Sequence, residues 1–233
     1  MNVVITGASQ GMGKAIATKF ASEGYDLLLT SKNKKRLSQC IDELKTLNKD
    51  IDILFYSADL SNKTEAQEFG KWVLDQNRPI DILINNAGYF LPGSIYNEED
   101  GTLEKMIQIN LYSAYHLTRI LLPKMMEQKQ GHIINMCSIA SLNAYHNGGS
   151  YSISKFALMG FTKNLREELK PYNLKVTAVY PGAVYTSSWE SAGIDRSRIM
   201  EVNDIAEIIY TTSKLSPQAC VEDIVLRPQL GDL

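Results

Sequence analysis

The strongest constraint in this chain is an alternation that runs almost from end to end. Short apolar runs rich in β-branched residues take turns with longer segments of helical periodicity. The predicted strands are Asn2–Thr6, Asp26–Thr30, Asp52–Tyr56, Ile80–Ile84, His132–Cys137, Leu174–Tyr180 and Asp223–Leu226. The predicted helices are Gly11–Glu23, Lys34–Leu47, Lys63–Gln76, Leu103–Gln128, Tyr151–Pro171 and Asp204–Lys214. Runs such as Val3-Val4-Ile5 are apolar at every position, as strands buried on both faces must be. Strict β/α alternation then predicts an α/β fold, a doubly wound parallel sheet of about seven strands with helices on both faces.

The 233 residues contain no linker, repeat or low-complexity tract, so one domain spanning residues 1–233 is expected. Ser61 and Asn62 are placed to cap the helix that follows them, and Asn203 the last helix. Pro171 ends its helix because its ring cannot continue a helix interior.

The formal net charge of −2 lacks the basic excess of a nucleic-acid binder. Three scattered cysteines, Cys40, Cys137 and Cys220, form neither a disulfide framework nor a metal-ligand spacing. Nor do His116, His132 and His146 pair up, so no metal is expected. The apolar run at Val3 is too short for a signal peptide or a membrane span. A cytoplasmic protein without membrane attachment is the expectation.

The first strand runs into Thr6-Gly7-Ala8-Ser9-Gln10-Gly11-Met12-Gly13. A glycine-rich strand-to-helix turn exposes backbone N–H groups to a pyrophosphate, and the positive end of the helix dipole adds to the attraction. This makes Thr6, Gly7, Ser9, Gln10, Gly11, Met12 and Gly13 candidate dinucleotide contacts in a Rossmann-type fold. The spacing is G-x-x-x-G-x-G rather than G-x-G-x-x-G. A tight turn that needs glycine torsions and binds nothing is the competing reading. With Thr-Gly-x-x-x-Gly-x-Gly at this position, the chain resembles the short-chain dehydrogenase/reductase family.

The tip of the second strand speaks to the choice of cofactor. It reads Thr30-Ser31-Lys32-Asn33, with no acid to grip a ribose 2′-OH and a lysine to attract a 2′-phosphate. Ser31, Lys32 and Asn33 therefore favour NADP over NAD; a solvated basic helical turn is the bland alternative. The resemblance implies an adenine contact for Asp59 and Leu60. It also identifies Asn85-Asn86-Ala87-Gly88 with the family's Asn-Asn-Ala-Gly motif, giving cofactor contacts to Asn86, Ala87 and Gly88. Asn85 is expected to be partly structural, its amide tying neighbouring strands. Pro181-Gly182-Ala183-Val184-Tyr185-Thr186 is similar to the family segment that packs on the nicotinamide, through Pro181, Gly182, Val184 and Thr186.

Tyr151-Ser152-Ile153-Ser154-Lys155 opens a helical pattern, and residues four apart share a helix face. Ser138 ends the apolar strand thirteen residues earlier, near the sheet edge where ligands of open α/β folds bind. Hydride addition to a carbonyl makes an alkoxide that must take up a proton. A tyrosine hydroxyl can donate it, and a neighbouring ammonium lowers the phenol's pKa for the reverse step. Tyr151 is thus the candidate acid/base. Lys155 is the cation, also able to hold the nicotinamide ribose, and Ser138 the donor to the substrate oxygen. The resemblance adds Asn110 as holder of a water that relays protons between Lys155 and solvent.

The same string recurs at Tyr210-Thr211-Thr212-Ser213-Lys214, with Ser197 thirteen residues before it. Ser197 lies in the polar run Asp195-Arg196-Ser197-Arg198 rather than at a strand tip, so this copy is read as a helix surface. Residues 185–202 are expected to form a substrate lid containing Tyr185, Trp189, Ile194 and Met200. Tyr89, Phe90, Leu91, Tyr145 and His146 are candidates to line the same cleft, which suggests a partly apolar carbonyl or alcohol substrate. The C-terminus lacks the Gly-Gly-containing ending common in the family's acyl-carrier-protein reductases, which argues against a 3-oxoacyl-carrier-protein reductase. An NAD-linked alcohol dehydrogenase and a non-catalytic NADP-binding regulator stay open as alternatives. The resemblance also implies a homodimer or homotetramer built on the two long helices.

Overall fold

The computed structural model of the protein describes residues 1–186 and 193–232. Its seven strands are β1 (Asn2–Thr6), β2 (Asp26–Thr30), β3 (Ile53–Tyr56), β4 (Ile82–Asn85), β5 (Gly131–Met136), β6 (Leu174–Pro181) and β7 (Asp223–Leu226). They form one parallel sheet in the order β3-β2-β1-β4-β5-β6-β7. The helices are α1 (Gly11–Ser22), α2 (Lys34–Leu47), α3 (Lys63–Asp75), α4 (Thr102–Ile107), α5 (Ser113–Gln128), α6 (Gly149–Leu169) and α7 (Val202–Ser213).

Side-chain alternation explains why the inner strands are apolar throughout. Successive residues of a strand point to opposite faces. Val3 and Ile5 of β1 join Phe20 of α1, Leu37 and Ile41 of α2 and Ile205 and Ile209 of α7. Val4 between them joins Phe69 of α3, Leu117 and Leu121 of α5 and Leu165 of α6. β4 repeats the division, with Ile82 and Ile84 on the first face and Leu83 on the second. Each such side chain contributes about 1.5–3 kcal/mol by leaving water, so a one-residue slip is strongly disfavoured.

Three local expectations change. The predicted helix Leu103–Gln128 is interrupted by a π turn over Gln108–Tyr112, with Asn110 at its centre. Such wide turns recur at functional sites, where they re-aim a side chain. Asn62 caps α3 as expected, accepting from the N–H groups of Thr64 and Glu65, whereas Ser61 gives its hydroxyl to Asp59. Asn203 caps nothing, because α7 already starts at Val202. Pro171 lies in a short 3-10 turn just past the end of α6.

The chain winds outward in opposite directions from the β1/β4 pair. The loops leaving these two strands diverge at their carboxyl ends and open the crevice in which such folds bind ligands.

Candidate active site

The turn after β1 is built around small residues. Gly7 and Gly11 have φ of +64° and +54°, a region that side chains disfavour. A Cβ on Gly13 would collide with the Gly7 carbonyl and the Asn86 amide. Gln10 precedes α1 without a capping side-chain bond, so the first-turn N–H groups present an anion site. The residues here fit a pyrophosphate. Thr6 has a scaffolding task, its hydroxyl accepting the N–H groups of Asn86 and Ala87 at 2.9 Å each. The Asn86 amide donates back to the carbonyls of Thr6 (2.9 Å) and Gly7 (3.3 Å). Asn85 is structural as expected, donating to Asn135 (2.8 Å) and Thr118 (3.1 Å).

At the tip of β2 the Ser9 and Ser31 hydroxyls meet at 2.8 Å. Lys32 is exposed beside them, and Asn33 caps α2 by accepting the Arg36 N–H. The Arg36 guanidinium bonds the Gln10 side chain at 2.8 Å, which brings a second cation to this corner. Arg36 is missing from the candidates read in the sequence. Its signal was the basic run at 32–36, whose last member looks solvated until α2 folds against the glycine turn. Asp59 accepts the N–H and hydroxyl of Ser61, and Leu60 is buried. Burial would raise the Asp59 carboxyl, but the Ser61 bonds and the Lys32 charge outweigh it and hold the group low.

Ser138, Tyr151 and Lys155 line one cleft of about 420 Å³ at the carboxyl edge of the sheet. Ser138 is fixed at the end of β5 by a reciprocal box. Its hydroxyl accepts the Ala140 N–H, and its own N–H donates to the Ser141 hydroxyl, both at 3.2 Å. Tyr151 lies in the first turn of α6, and Lys155 one turn on donates to the Met136 carbonyl at 2.8 Å. Its ammonium is 5.9 Å from the centre of the Tyr151 ring.

The electrostatics differ from the expectation of an acidified phenol. Burial pushes Tyr151 up to about 12, with Ser138 pulling the other way. Burial also pushes Lys155 down to about 8. Desolvation is the largest cause for both groups, so the phenol stays protonated and is a weaker acid than a free tyrosine.

Asn110 does not bond Lys155. Its side chain accepts the Tyr89 N–H at 2.7 Å and donates to the Tyr89 carbonyl (3.0 Å) and the Ser154 hydroxyl (2.9 Å). Gly88 separates the two, since a Cβ there would lie 3.1 Å from Asn110 Oδ1 and 3.5 Å from Lys155 Nζ.

Asn86, Gly88, Met12, Pro181, Gly182, Val184 and Thr186 share the cleft with the catalytic candidates. Phe90, Ile139, Ala140, Ala144 and Tyr145 supply apolar wall, the Phe90 ring meeting Tyr151 edge-on at 4.8 Å. The ends of the expected lid are clipped together by Tyr185 N–H to the Met200 carbonyl and Met200 N–H to the Ala183 carbonyl. Trp189 lies outside the described residues. Arg227 and Asp232, paired with each other near the C-terminus, also reach the cleft and carried no signal in the sequence.

The second Tyr-x-x-Ser-Lys copy is elsewhere. The Tyr210 hydroxyl donates to Glu23 at 2.8 Å, and its ring packs with Phe20 and Tyr25 between α1 and α7. Ser197 lies in an exposed 3-10 turn. Cys40 and Cys137 are buried thiols pushed up to about 11 by desolvation. His132 is buried, pushed down to about 3, and bonded to Thr177 at 2.7 Å. Among the described residues no helix is long and apolar enough to cross a membrane.

These features define a dinucleotide-type α/β enzyme scaffold, and comparison with known proteins makes the class specific. The family model for short chain dehydrogenases matches residues 1–197. An uncharacterized oxidoreductase of Staphylococcus epidermidis is 30% identical over 225 residues, 97% of this chain and 96% of the relative. A metagenomic short-chain oxidoreductase solved in complex with NADP superposes with a TM-score of 0.84 at 30% identity, covering 98% of this chain and 97% of that one. An alcohol dehydrogenase from the archaeon Thermococcus sibiricus, complexed with 5-hydroxy-NADP, gives a TM-score of 0.90 at 25% identity over 100% and 98% of the two chains. The chain belongs to the short-chain dehydrogenase family. It is an oxidoreductase acting on CH-OH/C=O groups.

Proposed function

We propose that the protein is an NADPH-dependent carbonyl reductase whose proton donor is Tyr151. The observation that carries this reading is the convergence of Ser138, Tyr151 and Lys155 on one cleft. NADPH bound along the turn after β1 would supply the hydride. Ser138 orients the carbonyl oxygen, and Tyr151 gives its proton to the oxygen as negative charge develops there. Lys155 would hold the ribose hydroxyls of a bound NADPH, and its ammonium would favour the phenolate left behind. Asn110 and Lys155 flank Gly88, and a water over that glycine would reload Tyr151 from solvent.

The preference for NADP rests on Ser9, Ser31, Lys32 and Arg36 at the tip of β2, where no acid opposes a 2′-phosphate. Apolar walls contributed by Phe90, Ile139, Ala140 and Val184 favour an alkyl or aromatic ketone or aldehyde. We assign the lid role to the described flanks of the segment 185–202, on a single domain; residues 187–192 of that segment lie outside the described residues. The protein works in the cytoplasm as a homodimer or homotetramer.

A panel of carbonyl compounds with NADPH and with NADH, read as loss of the reduced nicotinamide's absorbance, tests this. Turnover of apolar ketones with NADPH, and a KM for NADPH raised about tenfold by Arg36→Ala with NADH unaffected, is expected. Preference for small charged ketones sinks the substrate class. Tight NADPH binding without turnover on any carbonyl or alcohol indicates a non-catalytic binding protein, and faster turnover of alcohols with NAD overturns the cofactor reading.

A further inference from the structure

The loop between β4 and α4 holds side chains that this chemistry does not use, and its far end grips the helix that carries Tyr151. Glu98 accepts the Ser150 N–H at 2.9 Å and, through its other oxygen, the Ser150 hydroxyl. These groups belong to the first turn of α6, which receives no side-chain cap from Gly148. A carboxylate there satisfies an orphan donor and meets the positive end of a 21-residue helix.

The approach is close enough to demand glycine on both sides. A Cβ on Gly149 would collide with the Glu98 carboxylate and the Gly93 carbonyl, and one on Gly93 would lie 2.7 Å from Glu98 Cγ. A second clasp lies alongside. Gly93 N–H donates to the Asn147 carbonyl at 3.0 Å, and the Ser94 hydroxyl to the Asn147 side chain at 2.7 Å. At the near end of the loop, Asn110 holds both backbone groups of Tyr89, and Phe90 rests on Tyr151. The loop is therefore pinned at both ends to the elements that bear the catalytic candidates.

We propose that Glu98 is a positioning residue: its carboxylate clamps the β4–α4 loop to the first turn of α6 and so fixes Tyr151 against Ser138 and Phe90. Glu98 acts through Ser150, the residue before the tyrosine. The proposal rests on Tyr151 as the proton donor.

The test compares full-length Glu98→Ala, Glu98→Gln, Ser150→Ala and the Glu98/Ser150 double alanine variant. Loss of a helix cap of this kind predicts a kcat for Glu98→Ala lower by about 3- to 30-fold. The Kd for NADPH, by fluorescence titration, stays within about twofold, because the glycine turn is untouched. Glu98→Gln, which keeps an acceptor for the Ser150 N–H, recovers most of the loss. The double variant loses no more than Glu98→Ala, as two halves of one contact should. Amide hydrogen exchange in segments 88–100 and 148–156 speeds up together, while β1 and α1 keep their protection.

A kcat for Glu98→Ala within about twofold of the parent overturns the proposal. So does a Glu98→Gln variant no better than alanine, or a loss shared equally by kcat, NADPH affinity and exchange across the whole chain. If the parent protein reduces no carbonyl, the functional reading fails separately. Exchange then decides the clamp: joint acceleration of the two segments upholds it, and unchanged protection sinks it.

Discussion

The helices α6 and α7 carry the same string, and nearly everything local about the two copies agrees. Ser154 donates to the Tyr151 carbonyl at 2.7 Å, and Ser213 to the Tyr210 carbonyl at 2.7 Å. In each the lysine follows the tyrosine by one turn. The surroundings divide them. Tyr151 is in the first turn of a helix, at its positive end, facing a cleft, and Lys155 is buried behind it. Tyr210 is in the last turn, its hydroxyl given to Glu23, while Lys214 lies over the ring of Tyr25. The i, i+4 spacing makes two side chains share a face. Only tertiary placement decides whether that face meets a ligand or another helix.

The largest effect that can break this contrast is Tyr151→Phe. Removing the only hydroxyl proposed to pass a proton to substrate is expected to lower kcat by about 100- to 10,000-fold, with NADPH affinity kept, in steady-state assays with the best ketone found. Retained turnover would mean that another group donates the proton.

Lys155→Met comes next, with an expected loss of about 100-fold in kcat and a gain in stability. Burial lowers Lys155 from 10.5 to about 8, so between these values the folded state binds fewer protons than the unfolded one. Stability from this site therefore rises with pH across that window, and the full cost of the buried ammonium is present below pH 8. Methionine removes that cost. The variant should be about 1–3 kcal/mol more stable at pH 7, less about 1 kcal/mol for the orphaned Met136 carbonyl. Denaturant melts at pH 7 and 9.5 should show the advantage shrinking at the higher pH. Tyr151 does not confound this, because its raised value lowers stability only above pH 10, where the unfolded phenol ionises first.

Much of the scaffold was legible because its signals are repeated and physically redundant. Strand after strand is apolar at consecutive positions, and only a sheet covered on both faces satisfies that pattern. The glycine turn, Asn85, the strand-end Ser138 and the Tyr151/Lys155 pair were legible for a related reason, since each makes a local demand on backbone or spacing. What escaped depends on contacts between distant segments. Arg36 meets Gln10 across 26 residues, and Glu98 meets Ser150 across 52. The π turn at Asn110 was hidden because its sequence has ordinary helical periodicity. Acidification of Tyr151 was the natural reading of the spacing, but spacing says nothing about desolvation, which dominates both groups. Asn203 and Ser61 show the reverse error, good capping residue types at places where the chain had already turned helical or found another acceptor.

The smallest expected effect sharpens the contrast most. Tyr210→Phe deletes a hydroxyl that bonds Glu23 on the outer side of α1 and α7, and it leaves the ring packed against Phe20 and Tyr25. Lys214→Met is equally remote from the cleft, over the ring of Tyr25. In both, kcat and the KM for NADPH should stay within about twofold of the parent, because no group lost touches substrate, cofactor or a neighbour that does. A modest fall in melting temperature for Tyr210→Phe with unchanged kinetics would place its role in the α1/α7 seam. A loss of turnover there as large as that of Tyr151→Phe would mean that burial and placement do not separate the two copies, and the assignment of α6 as the catalytic helix would fall with it.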